Sequence, residues 1–211
     1  MTYRSAAGDL ALHGIRVLGF PAATRIASRY GLDLQSTVDY LLDFEARGWA
    51  RQFSFAGTSR WSMTDAGRLE DERRLAAELD QAQARDLVVE VHADFLPLNG
   101  RLGRACTDWQ IRPTAGDPMA FNDHSDWRWD GGVLAELASL EKAFAPLCGR
   151  LTACLGRFEA YSGSFRAALA RAQTGQRAWI DAADRDSCHL VWIQFHEDLL
   201  ATLGLSRGSD T

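Results

Sequence analysis

Between Leu10 and Leu79 the hydrophobic period changes twice, and nothing else in the chain constrains its fold as strongly. Leu10–Phe20 carries apolar residues at helical spacing and ends near Pro21. A second helical segment runs over 22–30 with Ile26, Ala27 and Tyr30 on an inner face, and Gly31 supplies the left-handed residue that ends it. Asp33 is placed to cap a third helix over 34–47. Its apolar residues Leu34, Val38, Leu41, Leu42 and Phe44 form one broad stripe, closed by Gly48. Trp49, Arg51, Phe53 and Phe55 then alternate with Ala50, Gln52 and Ser54, which is the period of a strand. Ala56-Gly57-Thr58-Ser59 is turn chemistry and Arg60–Met63 reads as a short return strand. Thr64, followed by Asp65 in the electropositive first turn, caps a highly charged connector helix that continues past Leu79 toward Val91.

Beyond residue 87 the pattern predicts only helices and loops, with helices over 84–109, 129–145, 146–158, 163–173 and 186–203. The polar loop from Arg112 to Asp126 is longer than an ordinary connection, which marks it as functional or flexible. A polar end follows at Ser206–Thr211. The expected fold class is therefore mainly α, with one small hairpin. Residues 1–80 form a first domain that includes the start of the connector helix, and 81–211 an all-helical second domain.

Charge and cysteine usage narrow the function. The chain of 211 residues has a net charge of −5, which disfavours indiscriminate binding to nucleic acid. Between Leu10 and Thr64, however, six arginines (16, 25, 29, 47, 51 and 60) face four acids (Asp33, Asp39, Asp43 and Glu45), so the acidic excess lies elsewhere. No apolar run approaches the roughly 20 residues of a membrane span, and the N-terminus has no apolar leader. The expectation is a cytoplasmic protein without a membrane partner. Cys106, Cys148, Cys154 and Cys188 show no C-x-x-C spacing and read as reduced core thiols.

Three stretches, Gln35-Ser36-Thr37-Val38, Leu41–Trp49 and Trp61-Ser62-Met63-Thr64-Asp65-Ala66-Gly67-Arg68, occur in an order that resembles winged helix-turn-helix transcriptional regulators of the MarR and PadR type. The resemblance covers the N-terminal third. It implies a recognition helix, its exit into a hairpin wing, and a return strand leading into the next helix. A major groove about 12 Å wide admits one such helix. The expected contacts to double-stranded DNA are Gln35, Ser36, Thr37 and Tyr40 from the third helix, Arg51, Thr58, Ser59 and Arg60 from the wing, and Arg25 and Arg29 from the second helix. Asp39 and Asp43 depart from the pattern by placing negative charge on the recognition helix; Arg47 is spaced to neutralise Asp43. The alternative is a protein-interaction or scaffold module that keeps the winged fold without binding DNA. A homodimer would meet two half-sites about 34 Å apart.

The second half gathers tryptophans with polar groups. Arg104, Asp108, Trp109, Asn122, His124, His189, Trp192 and His196 are the candidates for a small-molecule effector site, with Trp127, Trp129 and Trp179 as further walls. His189 and His196 stand seven residues apart, so their Cα atoms lie about 10.5 Å apart on a helix and do not form the usual chelating pair. No metal, cofactor or catalytic residue is assigned. A phosphate-cradling glycine loop, a G-x-S-x-G turn and an H-E-x-x-H motif are all missing from the sequence.

Overall fold

A computed structural model describes residues 2–55 and 57–206. Ala56 of the expected turn and residues 207–211 of the polar end lie outside the described residues. The protein is mainly helical, with one two-stranded antiparallel sheet. In chain order come α1 (Ala7–Leu18), α2 (Ala23–Tyr30), α3 (Leu34–Ala46), β1 (Ala50–Phe55), β2 (Thr58–Met63), α4 (Asp65–Ala82), α5 (Arg85–Gln110), α6 (Trp127–Thr152), α7 (Ala160–Gln173) and α8 (Cys188–Leu203), with short 3-10 turns at Gly156–Phe158 and Arg177–Trp179. The described residues of 1–89, 151–158 and 194–211 group into one compact unit, and those of 90–150 and 159–193 into a second.

Local chemistry sets the boundaries of the first unit. Gly31 ends α2 at φ +63°, and Asp33 caps α3 by accepting from the Ser36 amide at 2.8 Å. Thr64 caps α4, accepting from the Gly67 amide while its hydroxyl donates to the Gly48 carbonyl at 2.6 Å. Ala11, Leu12, Ile15, Ile26, Leu41, Phe44, Ala50 and Trp61 form a buried core shared by α1, α2, α3 and the hairpin. The stripe on α3 is narrower than its composition suggests. Leu34 and Leu42 are nearly half exposed, while Thr37, Leu41 and Phe44 face inward.

The hairpin pairs Ala50 with Met63, Gln52 with Trp61 and Ser54 with Ser59. Thr58 and Ser59 thus belong to the return strand instead of the turn, and Gly57 at φ +76° supplies the reversal. The connector helix also differs from expectation. Gln83 adopts φ +48°, so α4 stops there and α5 begins separately. Across Pro146, where a helix boundary was expected, α6 runs unbroken. Buried Phe144, Leu147 and Cys148 continue the apolar spacing through the proline, and their packing offsets its lost amide.

The second unit has an aromatic centre. Trp192 is 1% exposed, with its ring centroid 4.7 Å from Phe144, 5.0 Å from Phe95 and 5.6 Å from Phe165. Its indole N–H donates to Asn99 Oδ1 at 3.0 Å, which satisfies the one polar atom that burial would otherwise strand. No described helix is long and apolar enough to cross a membrane.

Candidate functional site

In the first unit, α3 presents Gln35 and Ser36 on an exposed N-terminal edge, followed along the same exposed face by Asp39 and Asp43. These side chains are not idle. Gln35 donates to Asp39 at 3.0 Å, the Ser36 hydroxyl donates to Asp33 at 2.8 Å, and Arg47 pairs with Asp43 at 2.8 Å. The Ser36 amide and hydroxyl hold the Asp33 carboxyl below its usual range, so that edge of the helix carries a fixed negative charge. The hairpin beside it exposes Arg51, Thr58, Ser59 and Arg60, and Arg25 is half-buried on α2. Arg60 Nη1 reaches the Phe20 carbonyl at 3.4 Å, and Phe20 stacks near Phe53 at 5.6 Å; both rings are about half exposed.

One expected DNA contact, Thr37, is corrected, and two more, Tyr40 and Arg29, are drawn partly inward. Thr37 is fully buried and its hydroxyl donates to the Asp33 carbonyl at 2.8 Å, so it is part of the turn at the start of α3. Tyr40 is half-buried, stacked on Phe44 at 6.4 Å and packed against the core. Arg29 is half-buried, with its Nε and Nη2 enclosed by the protein. Thr37 is thus a polar residue on the inner face of an amphipathic helix, while Tyr40 and Arg29 stand at the border of that face.

The second unit divides the effector candidates between two grooves. Arg104 and Asp108 line one between α5 and α6, together with Arg101, Arg128, Trp129 and Glu136. Arg101 grips Glu136 at 2.7 Å and Ser139 at 3.0 Å, and the Trp129 indole donates to the Asp108 carbonyl at 2.6 Å. Trp109, Asn122 and His124 line the other. There the Asn122 amide nitrogen donates to the Trp109 carbonyl at 3.0 Å and to Asp130 at 2.8 Å, while its oxygen accepts from the His124 amide at 3.1 Å. Asp130 lies 3.0 Å from His124 Nδ1, and the imidazole rests on Trp109 with ring centroids 4.3 Å apart. His124 is one of two described non-glycine residues at positive φ, +59°. A buried amide and a buried carboxylate therefore hold one imidazole in a chosen orientation.

Trp192 is corrected from effector wall to core, for the packing given above. His196 belongs to the first unit. His189 is half-buried near Asp181, and burial lowers its pKa more strongly than Asp181 raises it. Among the described residues no group of three or more His, Cys, Asp or Glu is placed to hold a metal. Burial raises the Cys106 thiol, with a contribution from Asp181, and the Cys188 thiol, with one from Cys106; each reaches about 12.

The sequence reading missed an ionic cluster in the first unit. His13, 2% exposed, has Nδ1 3.2 Å from Asp71 and Nε2 3.1 Å from Asp198. Arg16 reaches Glu72 and Glu197, both at 2.9 Å; Arg157 reaches Glu78 at 2.8 Å, Asp198 at 3.2 Å, and the Thr202 hydroxyl. The available signal was a lone histidine in the otherwise apolar run of α1. Asp130, which holds His124 from the first turn of α6, and Arg177, which lines the groove from a separate 3-10 turn, come to His124 from elements distant in sequence or across a loop, so spacing does not announce them. Comparison with protein-family profiles, curated proteins and solved structures finds no match to this chain.

Proposed function

We propose that the first unit is a winged helix that binds double-stranded DNA, and that the protein is a cytoplasmic transcriptional regulator acting as a homodimer under control of a small molecule. The observation that carries this reading is the arrangement of α3 and the hairpin: Gln35 and Ser36 stand exposed at the start of the helix, beside a wing exposing Arg51, Ser59 and Arg60. Gln35 offers an amide of the kind that pairs with adenine, while the wing arginines suit phosphates. The helical second unit, with its two polar-and-aromatic grooves, supplies the effector site.

A second reading has its own support. Leu34 and Leu42 are exposed on α3 alongside Asp39 and Asp43, and an apolar-acidic helix face suits a protein partner better than a phosphate backbone. Selection of bound duplexes from a random pool separates the two. A DNA-binding regulator enriches a motif, and the double change Arg51→Ala, Arg60→Ala weakens its binding across all sequences. An unenriched pool, with affinity unchanged by the double substitution, favours the protein-contact module.

A further inference from the structure

The groove around His124 is built for a particular shape of ligand. It measures about 420 Å³, within the range of small-molecule sites, and its lining includes His124, Phe121, Gln110, Asp181 and Arg177. It offers two flat surfaces, the rings of His124 and Phe121. The His124 ring is held by Asp130 and backed by Trp109. Phe121 is 89% exposed, and an antiparallel bridge to Ile111 pins its backbone, so an unburied aromatic ring is carried at the groove on a fixed stretch of main chain. A planar ring is what two such surfaces accept.

The polar lining is equally specific. Gln110 Nε2 donates to Asp181 Oδ2 at 2.8 Å, which fixes both side chains. It leaves the amide oxygen, one amide hydrogen and the other carboxylate oxygen for a ligand, an alternation of acceptor and donor that matches the edge of a nucleobase. Arg177 is exposed at the same groove and forms no ion pair among the described residues; its guanidinium donates one long hydrogen bond of 3.4 Å, to the His124 carbonyl. A guanidinium in that state is available to a phosphate. The left-handed His124 adds a backbone conformation that costs energy; its amide donates to Asn122 Oδ1, and Asn122 is itself anchored by donating to the Trp109 carbonyl and to Asp130.

We infer that this groove binds a nucleoside monophosphate, with the base stacked against His124 and Phe121, its edge on Gln110 and Asp181, and the phosphate on Arg177. The inference rests on the reading of the second unit as the effector-bearing part, and it identifies the effector class. Calorimetric titration of the full chain in the absence of DNA tests it, with adenosine 5′-monophosphate, adenosine and inorganic phosphate as probes. The nucleotide is expected to bind more tightly than either fragment. Phe121→Ala, which removes an exposed ring and leaves the core intact, is expected to weaken it roughly tenfold. Arg177→Ala is expected to bring the nucleotide down to the affinity of adenosine. The inference is overturned if the nucleotide does not bind at millimolar concentration, if phosphate or adenosine alone binds as well, or if both variants bind like the parent. Because no DNA is present, a failed titration leaves the DNA-binding reading standing, and a failed duplex selection leaves this one standing.

Discussion

Gly67 has no room for a side chain: a Cβ there would lie 2.0 Å from the Trp49 carbonyl oxygen. The glycine in Thr64-Asp65-Ala66-Gly67-Arg68 is explained by that approach, since the start of α4 lies directly on the backbone where the chain enters the hairpin. Gly67→Ala is expected to destabilise the first unit by about 3 kcal/mol or more, because neither backbone can yield cheaply. Chemical denaturation followed by circular dichroism measures it, and a variant as stable as the parent contradicts the packing. His13 makes a second residue-scale case. Burial pulls its imidazole down, but Asp71 and Asp198 outweigh burial and raise the pKa from 6.5 to about 9. Arg16, Tyr30 and Arg157, with the carboxylates Glu72, Glu78 and Glu197 that pair with the two arginines, are further charged or titratable groups of this cluster. The folded pKa exceeds the unfolded one, so the stabilisation is complete below about 6.5 and is lost as pH rises through about 9, a change of roughly 3 kcal/mol. Unfolding free energies at about pH 7 and about pH 9.5 are expected to differ by that order in the parent and much less in His13→Gln, which carries no proton to lose.

At the scale of elements, the C-terminal half of α8 belongs to the first unit and supplies much of its interior. Phe195, Leu199 and Leu200 are buried, and Glu197, Asp198 and Thr202 complete the partners of Arg16, His13 and Arg157. Removing partners from buried charges costs about 3–5 kcal/mol for each broken pair, a large share of a stability of about 5–15 kcal/mol. A chain ending at residue 193 is therefore expected to lose cooperative unfolding of its first unit, observed as missing dispersed amide signals for α1 and the hairpin. A native-like spectrum from that chain would refute the dependence. The periodicity of the sequence made α1 to α4 and the hairpin legible, because caps and turns act locally: Asp33, Thr64, Gly31 and Gly57 each announce themselves within four residues. It did not show that 194–206 returns to α1, because long-range pairing of His13 with Asp198 leaves no trace in spacing. It divides α6 at Pro146 because a proline's propensity is local, whereas the packing of Phe144 and Leu147 that carries the helix through is tertiary. The effector candidates were legible as residue types, yet their sorting into two grooves depended on where the 111–126 loop lands Asn122 and His124.

For the whole molecule, net charge decides how the proposed DNA binding behaves. With a charge of −5 and a sequence pI near 5.5, the protein as a whole repels a duplex, and attraction has to come from a few local cations. On the face formed by α2, α3 and the hairpin these are Arg25, Arg51 and Arg60, while Asp33, Asp39 and Asp43 oppose them along α3. Three phosphate contacts per protomer make six in a dimer, and each releases about 0.9 of a counterion, so log K is expected to fall with a slope of about −5 against log salt concentration. Arg51→Ala should flatten that slope by close to 2 in the dimer, since one contact is lost from each half-site. Anisotropy titrations between about 50 and 200 mM salt, with light scattering of the complex, measure slope and stoichiometry together. A slope near half this value with a single protomer bound would remove the dimer while keeping the winged helix on DNA. A flat line would show that the arginines meet no phosphates, and the exposed Leu34 and Leu42 would then identify α3 as a face for another protein.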